Sequence, residues 1–498
     1  MYALVTSLIT ETSGQSGLSA SVINQFKTLI GAHFCLTTPS EVASYCKEAR
    51  NKFFGKCSLV LKPGSTREVS DVVALANALN IAIVPQGGNT GLVGGQIPDS
   101  SGRQIILSTE RLNHIRSLDA DSNVVIVEAG VILETLQNAA DEAGRMFPLA
   151  LGAQGSCQIG GNLSTNAGGT SVLAYGNTRD MVLGLEVVLP DGRIWNGLRS
   201  LRKDNTGYDL KHLFIGAEGT LGVITAASLK LYPKPRDQQV SFAGLETPDQ
   251  ALALFNLARA HAGSMLTGFE LIPRIGMEFA FSHLPDTRDP MAETHPWYCL
   301  IELSIGSDAV DGRALIETIL EEAFEAGLIG DAVLAENTRQ AQDFWRIRHG
   351  LSEVQKHEGG SIKHDISVPV SAIPRFLERA MAACEAAIPG CRLVPFGHMG
   401  DGNLHFNISQ PIGADQTAYL ARWEEINALV HAIVADMGGS ISAEHGIGTL
   451  KRDLLPDVKD LVEMELMAQI KTTLDPKGLM NPGKVLQMVK ANTKDTKQ

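Results

Sequence analysis

Three glycine-rich stretches lie in the first half of the chain: "PQGGNTGLVGG" at 85–95, "LGAQGSCQIGGNLSTNAGG" at 151–169 and "GAEGTLGVIT" at 216–225. Glycine lets backbone N–H groups approach an anion closely and fold into concave nests that hold phosphate oxygens. One such stretch is equally well explained as a turn, since glycine is the default turn residue. Three of them, interleaved with Asn89, Thr90, Ser156, Asn162, Ser164, Thr165 and Asn166, point instead to a long phosphate-bearing cofactor held in extended form. Neither Gly-x-Gly-x-x-Gly at a strand–helix junction nor Gly-x-x-x-x-Gly-Lys-Ser/Thr is present, which removes nicotinamide-dinucleotide and nucleoside-triphosphate folds.

A second pattern points to a metal. "GHMGDGNLHFN" (397–407) brackets a turn with His398 and His405. A four-residue loop over 400–403 would set Met399 against Leu404 and the two histidines directly opposite each other on one face of a hairpin. Their Cβ atoms would then lie about 4.5–5.5 Å apart, a spacing at which two imidazoles can share a divalent ion. Two ordinary strand histidines remain the alternative until a third ligand is found. "ISAEHGIGTLKRD" offers Glu444 and His445 in a short glycine-flanked loop, although a Glu-His pair alone is a common surface feature. For anionic substrates, "FWRIRHGLSEVQKHEGGSIKHDISVPV" places Arg348 and Ser352 four apart on one helical face, with Lys363 eleven residues further on.

Charge and length bound the rest. The 55 acidic and 42 basic residues leave a net charge of −13, so a nucleic-acid or membrane-surface binder is not expected. Seven scattered cysteines with no Cys-x-x-Cys pair suit reduced thiols. No apolar run is long enough to span a bilayer, and "MYALVTSLITETSGQ" has no basic n-region, so a cytoplasmic protein is expected. Residues 57–130 predict α/β structure, with a strand in "CSLVLKPGS" and a helix in "TREVSDVVALANALN" capped by Thr66. A proline-rich charged exit predicts a boundary near 236, beyond which longer strand and helix units predict an α+β domain. The tail predicts a helix stopped at Asp475-Pro476, followed by a charged end, "KANTKDTKQ", that frays.

Taken together, "PQGGNTGLVGGQIPD", "GSCQIGGNLSTNAGG", "GAEGTLGVIT" and "DPKGLMNPGK" resemble the vanillyl-alcohol-oxidase (PCMH-type) flavoproteins. Within them the likeness is to the FAD-linked D-2-hydroxy-acid dehydrogenases, the branch that includes D-2-hydroxyglutarate and D-lactate dehydrogenases. It implies an α+β protein: a PCMH-type FAD-binding domain of two α/β lobes at 1–235, an α+β cap with an antiparallel sheet at 236–455, and a segment at 456–498 returning to the first domain. FAD would lie with its pyrophosphate against Gly87, Gly88, Asn89, Thr90 and Gly91, beside Pro85. Further contacts would come from Ser156, Gly160, Gly161, Thr165, Glu218, Gly222 and Ile224, with Asn481 beside the isoalloxazine. Relatives that tether FAD use His or Cys in the first loop; Gln86 stands here, so binding is expected to be non-covalent.

The same resemblance implies His398, His405 and Glu444 as ligands of a divalent metal, and His445 as the base facing the flavin. Zinc suits the nitrogen-rich set first, with manganese or iron as alternatives. Arg348, Ser352, Lys363 and Asn407 match the branch's carboxylate-binding set. Ser352 stands where threonine is frequent, and His364 follows Lys363 where tyrosine is common, which keeps D-lactate and glycolate beside D-2-hydroxyglutarate as substrates. Electron-transfer flavoprotein or a quinone is the expected acceptor, and a homodimer the expected assembly. Two other classes compete: a flavin-free metallohydrolase, which would be colourless, and a non-catalytic flavin-binding subunit of a larger oxidase.

Overall fold

The computed structural model describes residues 17–487, so the expected fraying of the charged tail falls outside the described residues. The first lobe is a small sheet of β1 (Cys35–Leu36), β2 (Val60–Leu61), β3 (Ile83–Gln86) and β4 (Ile105–Ser108) in the order β1-β2-β4-β3. Both β2 and β3 run parallel to β4. Parallel neighbours need a crossover. The helix Thr66–Ala78 lies between β2 and β3 in the chain and buries Val69, Val72, Val73 and Ala76. Its cap is Ser65 rather than Thr66: Ser65 Oγ accepts from the Glu68 N–H at 3.1 Å, while Thr66 Oγ1 donates to Glu186 at 2.6 Å. The strand expected in "CSLVLKPGS" is the two residues Val60–Leu61.

The second lobe is antiparallel throughout. Its strands are β5 (Ile115–Asp119), β6 (Val124–Glu128), β8 (Val182–Val188), β9 (Ile194–Gly197) and β10 (Val223–Lys230), in the order β5-β6-β10-β8-β9. A separate two-residue pair joins β7 (Arg145–Met146) with β11 (Tyr232–Pro233). Cys157 is packed in this lobe's core, and all seven cysteines are free thiols.

From Asp237 the chain builds one seven-stranded antiparallel sheet: β12 (Asp237–Leu245), β13 (Leu266–Pro273), β14 (Trp297–Ile305), β15 (Asp331–Leu334), β16 (Ser361–Ser367), β17 (Arg392–His398) and β18 (Asn403–Ser409). The spatial order is β15-β12-β14-β13-β17-β18-β16. One face is sealed by the helices Pro248–Ala262, Gly312–Glu325, Ile373–Ala387 and Trp423–Asp436 in the largest apolar core. Over the other face Arg274–His283 and Thr338–Val354 cover the central strands with Phe344, Ile347 and Leu351. The β16–β18 end of that face is left for polar side chains turned toward the first domain.

The tail follows the helix Leu461–Leu474 back to β3, where the Ile83 N–H donates to Leu479 O and the Asn481 N–H to Ile83 O at 2.8 and 2.7 Å. Lys471 locks this return. Its buried ammonium donates to Thr220 O, Met480 O and Asp475 Oδ2 at 2.7, 2.8 and 2.5 Å. Among the described residues, no helix is long and apolar enough to cross a membrane. Replacing Lys471 by methionine strands the buried Asp475 carboxylate, a loss of about 3–5 kcal/mol, and we expect a lower urea midpoint in a fluorescence-monitored unfolding titration.

Candidate functional site

The site grows from the hairpin β17–β18. His398 faces Asn403 and His405 faces Phe396, so the two histidines are not directly opposed as the glycine turn suggests; the loop is 399–402 and the register slips by two. Asn403 is the reason. Its Nδ2 donates to Asp365 Oδ1 at 3.1 Å and to Ile366 O at 3.0 Å, which draws it into the strand and leaves Gly402, at φ 91°, to turn the chain. A slip of two preserves the face. The rings meet edge to face with centroids 5.7 Å apart.

Neighbouring strands complete that face. On the edge strand β16, Asp365 lies opposite His405 and Lys363 opposite Asn407; on β13, Glu270 lies opposite His398. Arg348 reaches down from the covering helix: its Nε donates to Glu270 Oε2 at 2.5 Å, and its guanidinium lies 4.9 Å from the Phe396 ring centre. His398 Nδ1 meets the other Glu270 oxygen at 2.6 Å. Burial alone pushes the Glu270 carboxyl up, but Arg348 and then His398 overcome it and hold it down at about 2. His398 is correspondingly raised, with burial outweighed by Glu270. His405 goes the other way, well below the usual imidazole range, through burial and then the charges of His398 and Arg348. It is neutral at pH 7, with a lone pair to offer.

Beside His405, a four-residue cluster forms. The ligand-type atoms of Asp365, His405, Glu444 and His445 lie within 4.8 Å of one another. His405 Nε2 is 3.5 Å from Glu444 Oε1, and His445 Nδ1 is 3.5 Å from Asp365 Oδ2. The loop carrying Glu444 and His445 is held by backbone amides. Asp365 Oδ2 accepts from the N–H groups of 444 and 445 at 3.1 and 2.9 Å. Glu218, from the first domain, accepts from those of 447 and 448 at 2.7 and 2.8 Å. Gly446 must be glycine: its φ is +85° and a Cβ would sit 2.8 Å from Glu218 Oε1.

These groups share one cavity of about 640 Å³ with the glycine loops. Pro85, Gly87, Gly88, Asn89, Thr90 and Gly91 form one wall, joined by Gly160, Gly161, Thr165, Glu218, Gly222 and Ile224. Asn89 turns the chain at φ 56°, is tied by Nδ2 to the carbonyls of Ser44 and Lys47, and leaves Oδ1 buried without a protein partner. A Cβ on Gly161 would meet nothing within 4 Å. An open backbone cradle suits an extended phosphate-bearing cofactor, and the spare acceptor suits a hydroxyl or N–H donor of such a cofactor.

Known proteins are similar to this chain over most of its length. Residues 234–485 match the C-terminal domain of the FAD linked oxidases, and residues 57–197 match an FAD binding domain. The chain is 39% identical over 473 residues, 95% of its length and 82% of the relative's, to "D-2-hydroxyglutarate dehydrogenase, mitochondrial" of Arabidopsis thaliana. It is 42% identical over 435 residues, 87% and 79% of the two lengths, to the protein of the same name from Danio rerio. The chain belongs to the FAD-linked oxidase family. The fold of this FAD-linked oxidase is also that of p-cresol methylhydroxylase, with a TM-score of 0.73 at 18% identity over 93% of this chain and 96% of the other.

Most of the residues singled out from sequence line the cavity, including Arg348, Ser352, Lys363, Asn407, His398, His405, Glu444 and His445. Two do not. Ser156 Oγ turns back to Ala153 O at 3.3 Å, and Asn481 Nδ2 braces Gly95 O and Glu218 O at 2.9 and 2.7 Å. His398 adjoins the four-residue cluster but stands outside it, engaged with Glu270. His364 lies on the opposite face of β16, its Nδ1 on Phe406 O at 2.8 Å and its imidazole pushed by burial down to about 3, so it does not face the same way as Lys363. Sequence reasoning missed Asp365 and Glu270. Glu270 was marked only as a lone carboxylate in the apolar "TGFELIP", and Asp365 only as a carboxylate between the apolar ends of "IKHDIS". Glu270→Gln leaves the buried Arg348 guanidinium without its counter-charge, and a penalty of about 3–5 kcal/mol should appear as a fall in Tm by calorimetry.

Proposed function

We propose that this FAD-linked oxidase oxidises a D-2-hydroxy acid, with D-2-hydroxyglutarate as the leading substrate, to the corresponding 2-oxo acid. The observation that carries this reading is the meeting, in one cavity, of the glycine cradle with His405, Glu444 and His445. Relatives named D-2-hydroxyglutarate dehydrogenase, matched over most of their length, support the substrate class. When bound, FAD supplies a hydride acceptor at flavin N5. A divalent cation on His398, His405 and Glu444, zinc by preference, would supply Lewis acidity that makes the substrate hydroxyl easier to deprotonate.

The chain's own groups do the rest. His445, in the cavity wall, accepts the hydroxyl proton, and the Asp365 carboxylate 3.5 Å from its Nδ1 stabilises the imidazolium that results. Glu270 engages His398 Nδ1, so Nε2 is the nitrogen left to ligate; the raised affinity of that ring for a proton means that loading a cation releases one. Arg348, with one edge spent on Glu270, keeps Nη1 for a substrate carboxylate, beside Asn407 and Lys363. Reduced flavin would pass its electrons to electron-transfer flavoprotein or a quinone.

The decisive experiment is anaerobic bleaching of the yellow holoenzyme with a panel of D- and L-2-hydroxy acids, with and without chelator. We expect bleaching by D-acids alone, suppressed by chelation, and slowed at least ~100-fold in His445→Ala with FAD retained. Undiminished bleaching in that variant removes His445 as the base. The pH profile offers a second check. Lys363 is pushed down to about 8, by burial first and then by Lys356, Arg50 and Lys52, so its charge is present below that pH and lost above it. Accordingly kcat/KM for an anionic substrate should fall as pH rises through about 8, and Lys363→Arg should abolish that limb.

A further inference from the structure

Burial pushes five of the seven cysteines, Cys35, Cys157, Cys299, Cys384 and Cys391, above the usual thiol range. Cys46 and Cys57 differ. Their sulfurs lie 3.3 Å apart, with one S–H donating to the other sulfur. That bond draws Cys46 below the usual thiol range and, joined by burial, pushes Cys57 above it, so the pair holds a thiolate with a proton beside it. The two residues stand at the neck of a loop, 47–56, that the backbone already pinches: Lys47 bridges Phe54, and the Gly55 N–H donates to Cys46 O at 2.8 Å. Within the loop, Glu48 accepts the N–H groups of Arg50 and Lys52 at 2.8 and 2.6 Å. Its tip reaches the cofactor cavity, where Arg50 and Lys52 form part of the wall and Arg50 Nη2 donates to Leu92 O, in the first glycine stretch, at 2.5 Å. The same stretch holds the backbone around Cys46. Gln86 Nε2 donates to Tyr45 O at 2.9 Å, and Asn89 Nδ2 to Ser44 O and Lys47 O at 3.1 and 2.8 Å. A change at the two sulfurs is therefore felt along the wall that cradles the cofactor.

We propose that Cys46 and Cys57 are an oxidative modification site: a peroxide converts them to a disulfide, which fastens the loop against the first glycine stretch and slows the release of FAD. Cys57 is half-buried and Cys46 buried, a setting that a small peroxide reaches and a bulky protein thiol does not. The Cys46 thiolate attacks one peroxide oxygen, the O–O bond breaks, and the departing hydroxide takes up a proton to become water. Cys57 sulfur then attacks the resulting sulfenic acid, the S–O bond breaks, and the leaving hydroxyl departs as a second water with the Cys57 proton. Two thiols thus give up two electrons and two protons, and one peroxide becomes two waters. Bonded sulfurs sit about 2.0 Å apart, a distance reached from 3.3 Å by small rotations of the two side chains. Closing the neck removes the loop's freedom to open, and opening of local segments is what lets an enclosed cofactor leave. The inference is independent of which acid the enzyme oxidises.

The test treats reduced holoenzyme, as wild type, Cys46→Ser and Cys57→Ser, with a small molar excess of hydrogen peroxide. After alkylation, peptide mass spectrometry of the wild type should find Cys46 joined to Cys57, the other five thiols alkylated, and the link lost on treatment with dithiothreitol. FAD release, followed by flavin fluorescence in mild guanidinium, should slow roughly 5-fold or more in the oxidised wild type and recover on reduction. In both serine variants peroxide should leave that rate unchanged. Sulfurs that stay unlinked, or a disulfide on any other pair, overturn the inference and leave the two thiols as packing groups. A crosslinked enzyme that releases FAD at its starting rate also overturns it, as does a slowing that persists in either serine variant.

Discussion

Two carboxylates holding one loop are the constraint on which the rest of the site depends. Residues 444–448 make a tight glycine-containing turn whose amides have no strand or helix to pair with, and buried N–H groups left without acceptors are costly. Asp365 takes those of 444 and 445, and Glu218 those of 447 and 448. One acid belongs to the cap sheet and the other to the first domain. The loop is therefore a seam, and Glu444 and His445 reach the cavity only because both sides grip it. Further stitches from the N–H groups of 449 and 450 to Val93 O, at 3.0 and 3.2 Å, join the seam to the first glycine loop.

Around that seam the fold sorts charge. Glu270 faces the cationic side, drawing Arg348 and His398 into a buried triad and keeping its own charge at neutral pH. His405, on the neighbouring strand, has Glu444 Oε1 3.5 Å away, yet burial and then the charges of His398 and Arg348 hold it well below the usual imidazole range. Two histidines that look equivalent in "GHMGDGNLHFN" thus enter the site in opposite protonation preferences. Buried ion pairs contribute little net stability when desolvation is counted; here the triad's effect is to orient His398 and to spend only one edge of Arg348.

Much of this was legible in the chain. The glycine loops, the Glu-His-Gly turn and the tail were readable because each is local: a few consecutive residues carry the backbone geometry that their chemistry needs. The apolar periodicity of the cap helices was readable for the same reason, as in Ile373–Ala387 and Trp423–Asp436. What the chain left hidden was chiefly non-local. The hairpin register depended on Asn403 bonding to Asp365 of a strand that is distant in sequence. That Arg348 shares its guanidinium with Glu270, through Nε, was hidden because only the sheet order brings the Glu270 strand close. Asn481, expected against the flavin, is drawn by its amide into bracing Glu218.

By itself, the order of residues determined which chemical groups were present, the conformations open to its glycines, the periodicity of its helices and strands, and membership of a flavoprotein family. Only the tertiary structure decided which acid meets which base. Sheet order and strand register, set by burying two apolar faces at once, bring β13, β16, β17 and β18 side by side and turn alternate residues to one side. Charges then interact across that face through short distances in a water-poor interior, and those distances are properties of the packed molecule rather than of any segment of it.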